Sequence, residues 1–140
     1  MMRKNPIPQG KYKPAVRYGN LVYTAGMTPR RDGVLMLSGK VLASEPLETY
    51  KDAVVQAASN ALTAARNCLA EGESIAQILA LTVYINAEEG YTTHAKIGDF
   101  ASEYLYGELG DAGIGPRAAI GMATLPGNAP VEIQLVAAVQ

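Results

Sequence analysis

Arg117 is the residue of this chain that most needs a chemical explanation. It follows Gly113-Ile114-Gly115-Pro116 and opens an otherwise apolar segment, Ala118-Ala119-Ile120-Gly121-Met122. An arginine cannot shed its charge, so one placed beside a buried strand needs an anion. Two partners fit. One is Glu132, in an ion pair between neighbouring strands. The other is the carboxylate of a ligand, gripped at two points by the planar guanidinium. Glu132 carries the same ambiguity, as salt-bridge partner or as a base that orients water. Little else can do chemistry. The 140 residues include one His, His94, and one Cys, Cys68. These cannot assemble an ordinary zinc site or an internal disulfide, and a Ser-His-Asp device would have to use His94. The counts leave a chemistry without metal or histidine base.

The elements that must position these groups are legible from punctuation and period. Ala15–Tyr18 and Asn20–Ala25 flank Gly19-Asn20 and read as a hairpin. Residues 28–33 form a loop with Asp32-Gly33 as its turn, followed by a short strand candidate over 34–37. A long helix is expected from about Leu47 to Ala70, capped by Ser44, admitted by Pro46 and stopped by Gly72. Its apolar stripe, Val54, Ala57, Ala58, Ala61, Leu62, Ala65, Cys68 and Leu69, is mostly alanine, which lets a helix lie close on a sheet. Cys68 on that stripe reads as structural.

Residues 75–86 form a strand, although their start also fits a helix. Residues 92–109 form a second helix, with Ile97, Ala101, Tyr104 and Leu105 on one face and His94 near its start. Arg117–Met122 and Val131–Val139 are strands joined by a turn at Leu125-Pro126-Gly127-Asn128. In Val131–Val139 the odd positions are all apolar, so alternation puts them under the helices and Glu132 on the other face. The order predicts one α+β domain over residues 1–140: a single sheet of five to six strands, with two helices packed on one face. The opposite face is mixed in character, which predicts a covering subunit.

Composition bounds the setting. Hydrophobic residues make up 49% and charged residues 18%, as in an ordinary globular protein. No apolar run is long enough to span a membrane, and the N-terminal segment lacks an apolar signal core. A cytoplasmic location is the default expectation. The net charge of −1 hides a split, because residues 1–40 sum to +7 and residues 41–140 to −8. Such a split either marks complementary surfaces within the fold or between subunits, or a basic arm for an anionic partner.

The run Gly-Pro-Arg117-Ala-Ala-Ile-Gly-Met-Ala-Thr-Leu125-Pro126, followed by Val131-Glu132-Ile133, resembles the C-terminal signature of the Rid family. These are the reactive intermediate deaminases, or YjgF-like proteins. Tyr12, Gly19-Asn20 and Thr24-Ala25-Gly26 are similar to that family's N-terminal block. The likeness spans about residues 8–139. It implies a chorismate-mutase-like fold, a homotrimer with pockets between adjacent subunits, and no cofactor. The implied activity is hydrolysis of 2-imino or 2-enamino acids to 2-keto acids and ammonia. Arg117 would grip the substrate carboxylate, Glu132 would position water, and Tyr12 would line the pocket.

The chain departs from that pattern in its pocket. Ala25 stands where many members have Ser, and Ala119 where many have Cys. Asp99 is the nearest match to a pocket Asn, and Gly115 replaces a commoner Pro or Ala. The kept arginine in an altered pocket points to a subgroup with its own substrate. A rival reading is a non-catalytic trimer that binds a small carboxylate. A remoter one is RNA binding or cleavage, for which the basic first 40 residues are the sole support.

Overall fold

The computed structural model describes residues 3–140. In chain order its elements are β1 (Ala15–Tyr18), β2 (Leu21–Thr24), β3 (Arg30–Arg31), β4 (Val34–Leu35), α1 (Glu48–Arg66), β5 (Ile75–Asn86), α2 (His94–Leu109), β6 (Arg117–Met122) and β7 (Val131–Val139). Five strands form one sheet in the order β1-β2-β7-β5-β6, and β3 pairs with β4 alone. The α+β expectation holds, and the strand candidate over 34–37 is β4; its partner β3 falls where the sequence reads as a loop. Asp32 (φ 54°) and Gly33 (φ 81°) supply the left-handed turn that closes this ribbon.

The sheet order corrects one expectation. β6 and β7 are not neighbours, because β5 lies between them. It pairs with β6 in parallel through the α2 crossover and with β7 antiparallel. The turn at Pro126–Asn128 therefore bridges two strand spacings instead of closing a hairpin.

Alternation fixes the core. The odd residues of β7 are buried and the even ones half-buried. Both helices lie on the odd face, over Val22, Leu81, Val83, Ile133, Leu135 and Ala137. In α1 the packed face is Ala53, Val54, Ala57, Ala58, Ala61, Leu62 and Ala65, all buried. Methyl side chains bring helix and sheet axes close without loss of packing density.

The ends of α1 differ from expectation. No side chain caps its start. The entry is held instead by buried Tyr50, whose hydroxyl accepts the Leu42 N–H at 2.8 Å. The helix stops at Arg66 because the chain tightens: Cys68 and Leu69 N–H groups bond three residues back, to Ala65 and Arg66. Gly72 (φ 82°) serves the turn into β5 instead. Cys68 thus lies just past the helix, half-buried, with burial pushing its thiol pKa up, as for a structural cysteine.

The face opposite the helices is uncovered in a single chain. Val16 and Tyr23, paired across β1 and β2, are each 51% exposed, and Ile120 is 42% exposed.

One ion pair ties the basic first segment to the acidic remainder. Arg17 forks onto Glu73, with Nη2–Oε2 at 2.9 Å, and donates to the Cys68 carbonyl at 3.1 Å. The Arg17 hydrogen bond, then the Ala70 N–H, hold the Glu73 carboxyl down at about 2. A carboxyl depressed in the folded state stabilises it above the unfolded pKa of about 4.3, and that stabilisation fades as pH falls from there. Urea unfolding across this acid range is expected to show a stability loss, down to about pH 2, that is shallower in Glu73→Gln. Identical slopes in the two proteins would show that the pair does not contribute.

Candidate functional site

The structure sorts the candidate residues into two groups. The first surrounds Arg117 at the outer edge of the sheet. Gly115 sets the approach, because a Cβ there would come within 3.0 Å of the Ile78 carbonyl carbon. The chain therefore passes flush against β5, and the Pro116 carbonyl accepts the Leu81 N–H at 3.0 Å.

Arg117 then points to the helix face. Its Nη1 donates to Asp99 Oδ1 at 2.9 Å and to Ser102 Oγ at 3.0 Å, and its Nη2 donates to the Ala95 carbonyl at 3.2 Å. The anion that meets Arg117 within the chain is thus Asp99, not Glu132. Asp99 is 58% exposed at its side chain, so the pair contributes only about 0–1 kcal/mol. A guanidinium has five N–H donors. These contacts leave Nε–H and one Nη2–H unused, donors that a carboxylate could take.

Gly98 allows the close fit. A Cβ there would stand 3.0 Å from Arg117 Cζ and 3.1 Å from the Ala119 Cβ. Ala95, Gly98, Asp99 and Ser102 share one helix face by their three- and four-residue spacing. Neither Ser102 nor Gly98 was singled out from the sequence, although that spacing was available as a signal.

The second group surrounds Glu132. Its carboxylate lies directly over Gly26, where a Cβ would stand 2.9 Å from Glu132 Cδ and closer still to Oε2. The backbone of Gly26 does not require a glycine by its φ, so the space for the carboxylate is the reason for the residue type. Glu132 is half-buried and accepts no side-chain hydrogen bond among the described residues. Desolvation raises its pKa above the usual glutamate value.

Ala25 adjoins Gly26 and is tied to the N-terminal segment by its N–H to the Pro14 carbonyl at 2.8 Å. Tyr12 lies in that segment, 47% exposed, with its hydroxyl accepting the Gln9 N–H at 3.0 Å.

The two groups do not meet within one chain. Arg117 pairs with Leu81, and Leu81 with Leu135, on the helix face. Glu132 pairs with Tyr84, and Tyr84 with Ile120, on the open face. Two strand spacings and three residues of rise separate their Cα atoms by roughly 14 Å. His94 belongs to neither group. It stacks edge-on with Tyr91 at 5.4 Å between ring centroids and packs over Gly121, where a Cβ would stand 2.7 Å from Nε2. No cluster of three or more His, Cys, Asp or Glu among the described residues could hold a metal, and no helix is long and apolar enough to cross a membrane.

No curated protein matches this chain. A protein of unknown function from Agrobacterium tumefaciens has the same architecture at 27% identity and a TM-score of 0.86, covering 96% of this chain and 86% of that one. A protein from Shewanella oneidensis named for an endoribonuclease is 26% identical, with a TM-score of 0.85 over 99% of this chain and 91% of that one. The YjgF gene product of E. coli shares the fold at 20% identity, with a TM-score of 0.69 over 96% and 92% of the two chains. The family model described as Endoribonuclease L-PSP matches residues 2–139, and the chain belongs to that YjgF-like family.

Proposed function

We propose that this protein is a homotrimeric deaminase that hydrolyses reactive 2-imino or 2-enamino acids to 2-keto acids and ammonia. Its pocket would lie between subunits. The observation that carries this reading is the placement of Arg117 and Glu132 on opposite faces of one sheet. Each group is unfinished alone: Arg117 keeps two unused N–H donors, and Glu132 keeps a desolvated carboxylate with no side-chain donor among the described residues. A neighbouring subunit covering the exposed apolar face of β1, β2 and β6 could bring its own Arg117 edge toward Glu132. Burying Val16, Tyr23 and Ile120 would supply the association energy, about 1.5–3 kcal/mol for each fully buried large side chain.

The chemistry needs little more. Arg117 binds the substrate carboxylate and fixes the imine carbon beside a water held by Glu132, which removes much of the entropic barrier. As the water oxygen bonds to that carbon, Glu132 accepts its proton. The imine reacts as its iminium, so water addition gives a neutral carbinolamine. Glu132 returns the proton to its nitrogen, the C–N bond breaks to expel ammonia, and the hydroxyl gives its proton back to Glu132 as the keto C=O forms. A carboxyl with a raised pKa suits both taking and returning that proton. The family name speaks of ribonuclease action, but His94, the only histidine, is engaged by Tyr91 and Gly121, away from Glu132.

With 2-aminoacrylate generated by a dehydratase, ammonia release is expected to exceed the buffer rate. Arg117→Ala should lower kcat/KM roughly 10–100-fold, the worth of a charged hydrogen-bonding pair. Ammonia release no faster than buffer in the parent protein would refute the deaminase reading for this substrate.

Glu132 must be ionised to accept a proton, so the acid limb of kcat/KM should lie above the ordinary glutamate range and vanish in Glu132→Gln. Gly26→Ala, which crowds the carboxylate, should shift that limb without unfolding the protein. An acid limb that survives in Glu132→Gln would assign it to another group.

Finally, trimers co-refolded from equal amounts of Arg117→Ala and Glu132→Gln chains should regain about a quarter of parental activity, since random mixing pairs the intact halves at that frequency. No recovery would place both residues' action within one chain.

A further inference from the structure

We propose that a second cavity, between the N-terminal arm and the outer face of α1, binds a small phosphate monoester. The cavity is about 330 Å³, the low end for ligand sites and the size for a singly phosphorylated metabolite. Arg3, Lys4, Arg30 and Arg31 line it against Asp32 alone, a net of +3. Among the described residues these four cations take part in no ion pair; the pairs formed use Arg17, Arg66 and Arg117. The +7 segment is thus neutralised at Arg17, while its remaining arginines converge on a space.

Their donors are unspent. Arg30 Nη1 donates to the Gly33 carbonyl at 3.0 Å, and its Nε, closed off from solvent, has no partner, so the free donors that face the cavity are those of Arg3, Lys4 and Arg31. Arg31 approaches only Gln56 Oε1, at 3.4 and 3.3 Å, which is long for such a bond.

The walls are built, not loose. Asn60 on α1 donates to the Thr28 and Arg30 carbonyls at 3.2 and 2.8 Å, pinning the β3–β4 ribbon to the helix. Asn67 donates to the Arg3 carbonyl at 2.7 Å and to Asn5 Oδ1 at 2.8 Å, pinning the arm. Ser59 and Thr63 add hydroxyls to the lining.

A compact dianion with three or more acceptor oxygens satisfies this donor set best. A long polyanion fits less well, because the adjoining hollow, which shares Arg3 and Arg31, is also lined by Asp52 and Glu108. Gly26, which seats Glu132, borders the cavity, but neither Glu132 nor Arg117 lines it, so binding here does not depend on the deaminase reading.

Calorimetric titration of the full chain tests the assignment, with ribose 5-phosphate, ribose, citrate and a short single-stranded RNA as probes. Ribose 5-phosphate is expected to bind once per chain and ribose not at all. Arg31→Gln, an exposed position that leaves the fold intact, should weaken binding roughly 10-fold or more. Lys51→Gln, away from the cavity, and Arg117→Ala should leave binding unchanged. Failure of ribose 5-phosphate to bind, equal binding in Arg31→Gln, tighter binding of citrate, or binding of RNA alone would each overturn the proposal.

Discussion

Side chains along a strand alternate between the two faces of a sheet, and here β5 locks β6 and β7 into one register. Most of the molecule's functional layout depends on that constraint. It sends the odd residues of β7 beneath the helices and Glu132 to the open face. Carried across β5, it sends Arg117 to the helix face at the sheet edge. A one-residue slip in either pairing would exchange core for surface along the whole strand, so the packed core and the placement of both polar groups are held by the same register.

Glycine and alanine convert that register into usable geometry. Gly98 lets α2 press against Arg117 and Ala119. A mid-helix glycine costs about 1 kcal/mol relative to alanine, so its presence marks a place where helix and guanidinium compete for one volume. Gly26 does the same for the Glu132 carboxylate, and Gly115 for the run into β6. The arginine and the glutamate are each seated by a neighbour that has no side chain. Their electrostatic states then diverge: Arg117 is partly satisfied by exposed Asp99 and by Ser102, whereas Glu132 is desolvated without a donor.

Much of this was legible in the residues. The β1–β2 hairpin, β5, β6 and β7 carry β-branched alternation between glycine and proline signals, and their positions follow from it. Glu132 facing away from the helices also follows from period alone. Three features were not legible. The neighbour of β6 is decided by the α2 crossover, a tertiary event, so an Arg117–Glu132 ion pair looked available when β5 in fact separates the strands. The ends of α1 were misplaced because Tyr50 and tightened turns do the work that Ser44 and Gly72 advertise. The Asp99–Ser102 cradle around Arg117 needed the helix to be set on the strand before its spacing had a meaning.

Family membership carries the fold, while in the proposed pocket Ala25 and Ala119 would offer less hydrogen-bonding capacity than the resemblance implies. The proposed deamination needs a small carboxylate to span two chains. The most direct measurement is a crystal structure of the protein with a bound 2-keto acid such as pyruvate. The account predicts its carboxylate side-on to Arg117 of one subunit, with its keto carbon facing Glu132 of the neighbour. A 2-keto acid bound away from Arg117, or contacting Arg117 with no Glu132 near its keto carbon, would contradict it.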